Sequence, residues 1–230
     1  IDLRYLNEQE AGKNGRVRRQ GNGFVTGDGK PVRFWMVEGN SLLGMEKSQI
    51  DFWARRLAKY GVNMVRVGII PLYEAYNEGD MEGFERERDK LQYTVAALKK
   101  QGIYTYVAHL LRHTRKTIPG EFAGPGYGKT VRPYGLSFFN EHFRDHYFGY
   151  VRKTLTAANP YTGVPIAKDP AVAFLEIQNE TGLLFWTFNP THMPPETRML
   201  IEKAFGDWAA KKHGSVEAAL NAWGPEKAPG

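Results

Sequence analysis

Glu180 is the residue whose type and surroundings best suit it to move a proton. It follows Asn179 directly after an apolar run, Ala171 to Ile177, and a carboxyl group at the end of a strand can hand a proton to a leaving oxygen and take one back. The bland alternative is a solvent-facing loop glutamate. Asn179 and Arg66 add donors able to fix a bound polar ligand, Asn179 also being able to accept. Glu38, Asn40 and His109 stand at or just past the ends of other apolar runs.

Other residue patterns suggest other chemistries. His109 and His113 are four apart, which on a helix would match a metal pair with Glu180 as third ligand. Their segment reads as strand then loop, where residues four apart need not share a face, so no metal and no cofactor is expected. Ala123 to Thr130, AGPGYGKT, ends like a phosphate loop. A phosphate loop must leave a buried strand and enter a helix, whereas 116–122 is polar and interrupted by Pro119, so a flexible substrate-side loop is expected instead. Trp35, Tyr73, Tyr76, Tyr127, Phe185 and Trp186 carry rings on which a sugar face could stack. Trp186, just after Glu180, is the best of these, and Trp35 is expected in the core.

Composition narrows the class. The 230 residues, 42% hydrophobic and 24% charged, suit a globular domain with a sizeable core. The net charge of +6 raises nucleic acid as a partner. Basic and acidic residues alternate, however, as in Glu85 to Lys90, and the clusters Arg16 to Arg19 and Arg112 to Lys116 are short, so no nucleic-acid partner is expected. No apolar run approaches the roughly 20 residues of a membrane span. The absence of cysteine decides little about compartment. The chain opens on Ile1 with no leader, and a secreted or periplasmic location is expected for a processed chain.

The elements that must position these residues follow from periodicity. Residues 24–26 and 31–34 flank Gly27-Asp28-Gly29 and predict a hairpin. A strand at 33–38 leads to a helix capped by Ser48, with Ile50, Trp53, Leu57 and Tyr60 as its stripe. A second strand at 62–67 and a helix bearing Leu91, Val95 and Leu98 follow, ending at Gly102. A third strand at 103–110 precedes a long loop and a helix with Phe139, Phe143, Tyr147, Val151 and Leu155 at four-residue spacing. The fourth strand is 171–177. Pro194 to Lys212 and a short helix begun by Ser215 close the chain. Alternating strands and amphipathic helices predict an α/β fold with a parallel sheet in a single domain, 1–230, its first 34 residues an N-terminal segment with the hairpin. Polar residues at successive strand ends favour a (β/α)8 barrel over a doubly wound sheet, since Gly39 to Gly44 lacks the dinucleotide-binding glycine spacing.

The runs Gly29-Lys30-Pro31-Val32-Arg33-Phe34-Trp35, Gly61-Val62-Asn63-Met64-Val65-Arg66 and Glu176-Ile177-Gln178-Asn179-Glu180 resemble clan A retaining glycoside hydrolases, closest to the cellulase- and mannanase-like family 5. The segment from Phe205 to Gly224 is similar to helical insertions after the fourth strand of such enzymes. The resemblance implies hydrolysis of β-linked oligo- or polysaccharides, with Glu180 as acid/base, Arg66 orienting the nucleophile and the sugar, and Asn179 on a sugar hydroxyl. Trp186, from its place just after Glu180, and His109 and Asn40, from their places at strand ends, are expected to bind substrate as well. In a retaining scheme a second carboxylate stands roughly 5–5.5 Å from the first. The resemblance places it on a later strand, so this chain is expected to be the first four βα units plus a helical insertion, C-terminally incomplete. Such a chain would be inactive alone, or would pair with a second copy or with a missing half. Two other readings stay open: a noncatalytic or truncated carbohydrate-binding barrel, and a metal-dependent barrel hydrolase using His109, His113 and Glu180.

Overall fold

The computed structural model describes residues 1–108, 116–180, 182 and 189–224. It divides into two compact units, Ile1–Arg112 with Phe148–Phe188, and His113–Tyr147 with Asn189–Gly230. In chain order the strands are β1 (Arg18–Gln20), β2 (Gly23–Val25), β3 (Pro31–Val32), β4 (Met36–Glu38), β5 (Met64–Gly68), β6 (Tyr104–Ala108), β7 (Ile118–Pro119), β8 (Thr130–Val131) and β9 (Val172–Leu175). The helices are α1 (Lys47–Lys59), α2 (Ile70–Glu78), α3 (Met81–Lys99), α4 (Leu136–Phe139), α5 (Glu141–Thr156), α6 (Pro195–His213) and α7 (Val216–Trp223).

The first unit is built on a parallel sheet in the order β4-β5-β6-β9. The fold class is α/β, as the alternation of strand and helix periods predicts. β5 and β6 are buried on both faces except at their middle residues, Arg66 and Tyr106, which pair in register. That burial pattern is what a crossover-covered parallel sheet produces, and it isolates the two positions that keep some access to water. The predicted hairpin is present as β2 and β3, with Phe24 opposite Val32. Gly29, at φ 85°, supplies the left-handed turn residue between them. The extra strand β1 was not anticipated, because Arg18-Arg19-Gln20 is exposed and has no apolar alternation to read.

This hairpin brings aromatic rings to the sheet. Phe24 meets Phe174 edge-on at 5.2 Å, and Phe34 meets Tyr104 at 5.8 Å and Phe174 at 5.7 Å. Beside them Ala11, Met64, Tyr104 and Ala171 form a small core. Edge-to-face rings at these separations contribute about 0.5–1.5 kcal/mol per pair beyond area burial.

Two helix expectations need correction. α1 begins after Glu46 rather than Ser48, and the Gln49 side chain accepts the Glu46 backbone N–H at 3.1 Å. Its buried stripe is Ile50, Ala54 and Ala58, leaving Trp53 and Tyr60 exposed. Small alanines at four-residue spacing let the helix approach its neighbours closely, and the large rings turn outward, where Arg56 lies 5.7 Å from both. α3 keeps the expected Leu91, Val95 and Leu98 in the core, and the Asp80 side chain caps it by accepting from Gly83 N at 2.8 Å.

In the second unit β7 and β8 pair antiparallel, Ile118 opposite Val131. The glycine-rich stretch is therefore tied into a hairpin, with Gly120 N donating to Lys129 O at 2.9 Å. Ile118, Ala123, Val131, Leu136 and Phe143 form its core. The helix expected from Phe139 onward is broken at Asn140, whose extended backbone ends α4. Its Oδ1 accepts from Phe143 N at 2.8 Å and its Nδ2 donates to Ala123 O at 2.9 Å. A buried asparagine that caps the next helix and bonds a neighbouring loop outweighs uninterrupted helix period. α6 and α7 carry near-parallel rings, Phe205, Trp208 and Trp223, with centroids 5.5–6.4 Å apart. Among the described residues no helix is long and apolar enough to cross a membrane.

Candidate active site

The sheet register sets polar residues of three strands in one row, at the last residue of β4 and the middle of β5 and β6. Glu38 of β4 pairs with Arg66 of β5, Arg66 with Tyr106 of β6, and Tyr106 with Phe174 of β9, two residues before Glu176. Side chains two apart on a strand share a face, so Glu176 continues the row that Phe174 begins.

Arg66 is the hub of this row. Its Nη1 donates to Glu38 Oε2 at 2.9 Å, and its Nη2 donates to Glu176 Oε2 at 2.6 Å and to Asn179 Oδ1 at 2.9 Å. The guanidinium lies 5.6 Å from the Tyr106 ring centroid. Burial works against its charge, but the hydrogen bonds to Glu38 and Glu176 outweigh it and hold its pKa above the ordinary arginine value. Because a guanidinium can only donate, it must face the oxygen of Asn179. This leaves the Asn179 amide hydrogens for another acceptor.

Asn40 ties the rim together from the other side. Its Oδ1 accepts from Gly68 N at 2.6 Å, and Gly39 N donates to Arg66 O at 2.8 Å. The chain can run this close only because residue 39 is glycine, since a Cβ there would lie 2.3 Å from Val65 Cγ1.

Glu180 is exposed and follows Asn179 immediately. At φ 50° it is the non-glycine residue of the described chain held at positive φ. Such a conformation costs an L-residue about 1 kcal/mol or more, and strain of this kind clusters at functional sites.

The structure thus brings together Arg66, Asn179 and Glu38 among the residues singled out from sequence, and holds Asn40 to the Gly68 backbone. His109, His113, Phe185 and Trp186 lie outside the described residues. Of the rings considered as platforms, Tyr73 is buried against Tyr150 at 5.4 Å, and Tyr76 packs on Phe84 and Tyr150. Trp35, expected in the core, is 58% exposed while its backbone N–H is held by Asn63 Oδ1 at 2.7 Å. Tyr127 donates or accepts a hydrogen bond with Thr197 at 3.1 Å. Sequence reasoning missed Glu176 and Tyr106. The signal was the period of two, which sets Glu176 on the face of Phe174 and Tyr106 at the same level as Arg66. No cluster of three metal-ligating side chains occurs among the described residues.

A parallel sheet whose strand ends carry such a polar row has the layout of a (β/α) barrel, in which functional residues gather at the carboxyl ends of the strands. Solved structures agree on the fold. The chain is similar to the endo-1,4-beta-mannanase of Rhizomucor miehei, with 18% identity, a TM-score of 0.57, and coverage of 87% of this chain and 59% of that one. It is also similar to a glycoside hydrolase family 5 mannosidase of the same organism, with 14% identity, a TM-score of 0.52, and coverage of 89% and 53%. The chain therefore has the fold of family 5 mannanases and mannosidases over most of its length and spans rather more than half of theirs. No family model matches the sequence, and no curated protein does.

Proposed function

We propose that this chain contributes the acid/base half of a retaining glycoside hydrolase site acting on β-linked oligo- or polysaccharides, β-1,4-mannans among them. The observation that carries the reading is the Arg66 hub, which draws Glu38, Glu176 and Asn179 to one strand end immediately before Glu180. The fold shared with a mannanase and a mannosidase supports it.

In this reading the Glu180 carboxyl protonates the glycosidic oxygen as the bond breaks. A second carboxylate captures the oxocarbenium-like centre, and Glu180 then withdraws a proton from the water that releases the sugar. Asn179, its oxygen turned to Arg66, offers its amide hydrogens to a sugar hydroxyl. The resemblance places the second carboxylate on a later strand, so neither Glu38 nor Glu176, both held by Arg66, is assigned the nucleophile's role. A carbohydrate is the partner this site implies, and secretion or periplasmic export suits a polymeric substrate.

The test is to titrate β-1,4-linked mannotetraose, cellotetraose and xylotetraose into the isotopically labelled chain. Chemical-shift changes at Asn179, Glu180 and Arg66 with at least one of them are expected. No change at any of the three with every ligand at millimolar concentration would remove the reading.

A further inference from the structure

We infer that Glu176 is a positioning residue: it anchors Arg66, and through Arg66 sets the orientation of the Asn179 amide that precedes Glu180. The inference rests on the reading of this strand end as a sugar-binding site, and it assigns to Glu176 a task distinct from contact with the sugar.

Three acceptors compete for the Arg66 guanidinium. Nη2 of Arg66 carries two hydrogens, taken by Glu176 Oε2 at 2.6 Å and Asn179 Oδ1 at 2.9 Å, while Nη1 serves Glu38 Oε2 at 2.9 Å. The two ion pairs are unequal. The Glu38 side chain is 48% exposed and that of Glu176 is 18% exposed. The exposed pair is weakened by water and salt, and the shielded pair keeps its attraction.

The backbone points the same way. Glu176 N donates to Val107 O at 2.8 Å, extending the ladder between β9 and β6, so the sheet itself places Glu176. Asn179 lies in the irregular segment that follows. The chain of constraint therefore runs from the sheet through Glu176 to the guanidinium, and from the guanidinium to Asn179. Without Glu176, one Nη2 hydrogen loses its acceptor and the attraction of the Glu38 carboxylate is no longer balanced from the β9 side. Arginine's rigid fork answers such an imbalance by rotation of the whole group, which carries away the bond to Asn179.

The experiment compares the whole chain with Glu176→Ala, Glu176→Gln and Glu38→Gln by two readouts. One is the NMR signals of the Asn179 side-chain amide and of Arg66 Nε–H, recorded without ligand. The other is affinity for β-1,4-linked mannotetraose. Glu176→Ala is expected to shift and broaden the Asn179 amide pair and to lower affinity about ten- to a hundred-fold, the effect of losing a hydrogen bond to a charged group. Glu176→Gln keeps an accepting oxygen and should recover most of both, whereas Glu176→Met, which keeps the volume without an acceptor, should not. Glu38→Gln should change affinity by less than about three-fold, as for a solvent-facing pair.

Asn179 signals unmoved in Glu176→Ala, or moved as far in Glu38→Gln, would overturn the inference. Should Glu176→Ala fail to fold, Glu176→Met against Glu176→Gln makes the same comparison at nearly constant volume. Should the wild-type chain bind no oligosaccharide, the functional reading falls. The ligand-free amide signals alone then decide whether Glu176 positions Asn179.

Discussion

Lys99, the last residue of α3, places its ammonium 3.0 Å from Oδ1 of Asp169, whose side chain is only 1% exposed. The same oxygen accepts from Ala171 N at 2.9 Å, so one carboxylate joins the helix end to the start of β9. Removing the lysine would strand a buried charge. Lys99→Ala is expected to destabilise the chain by about 3–5 kcal/mol, and adding Asp169→Asn should return part of the loss. Urea denaturation of the two single variants and the double variant measures both.

Asn140 does for the second unit what that pair does for the first. Asn140→Ala removes the cap of α5 and the bond to Ala123 O, and should cost about 1–3 kcal/mol. Asn140→Asp keeps the capping oxygen and loses the donor, so it should fall between the two. A loss below about 0.5 kcal/mol in Asn140→Ala, read from thermal or urea unfolding, would show that the break between α4 and α5 has another cause.

The conformation of Glu180 separates stability from chemistry. Glycine tolerates positive φ without strain, although it gains freedom in the unfolded chain, so Glu180→Gly should leave stability unchanged or raise it by up to about 1 kcal/mol. In a protein that turns over, Glu180→Gln should lower kcat/KM on a natural β-linked oligosaccharide by about 10²- to 10⁴-fold. An aryl glycoside with a good leaving group needs less protonation and should lose less. Equal losses on the two substrates would take the acid role from Glu180.

His146 stacks on Phe122 with ring centroids 3.9 Å apart, and burial pushes its pKa down to about 4. The unfolded chain, with an ordinary histidine near 6.5, binds the proton more readily, so stability from this group is complete above about pH 6.5. It is lost as the pH falls from there toward 4. His146→Phe should flatten the difference in urea midpoint between pH 7 and pH 4.5. An unchanged pH dependence would mean that other groups carry it.

The four parallel strands were legible as short apolar and β-branched runs, and α1, α3 and α5 by apolar residues three to four positions apart, whereas the nine-residue α2 gave too short a pattern to be read. What escaped sequence reading is where a single side chain decides. Asn140 breaks a helix whose apolar period runs through it, and Ala54 rather than Trp53 faces inward because a small residue packs closer than a large one. Glu176 was hidden for a different reason. Within Ala-Val-Ala-Phe-Leu-Glu-Ile it reads as one polar interruption in an apolar run, and only the neighbouring strands reveal that Arg66 stands opposite. The side-chain contact from β5 to the end of β9, reaching over β6, is a fact of topology, which no local pattern encodes.

The aromatic contacts of Phe24 and Phe34 with Phe174 have a consequence for how the molecule is made. The hairpin bearing the first two rings leaves the ribosome long before the strand bearing the third. Contacts that join such distant parts of a chain close late and slowly. During synthesis those two rings must wait uncovered, a period in which a holding chaperone has an apolar handle to grip and a crowded nascent chain has a surface on which to aggregate.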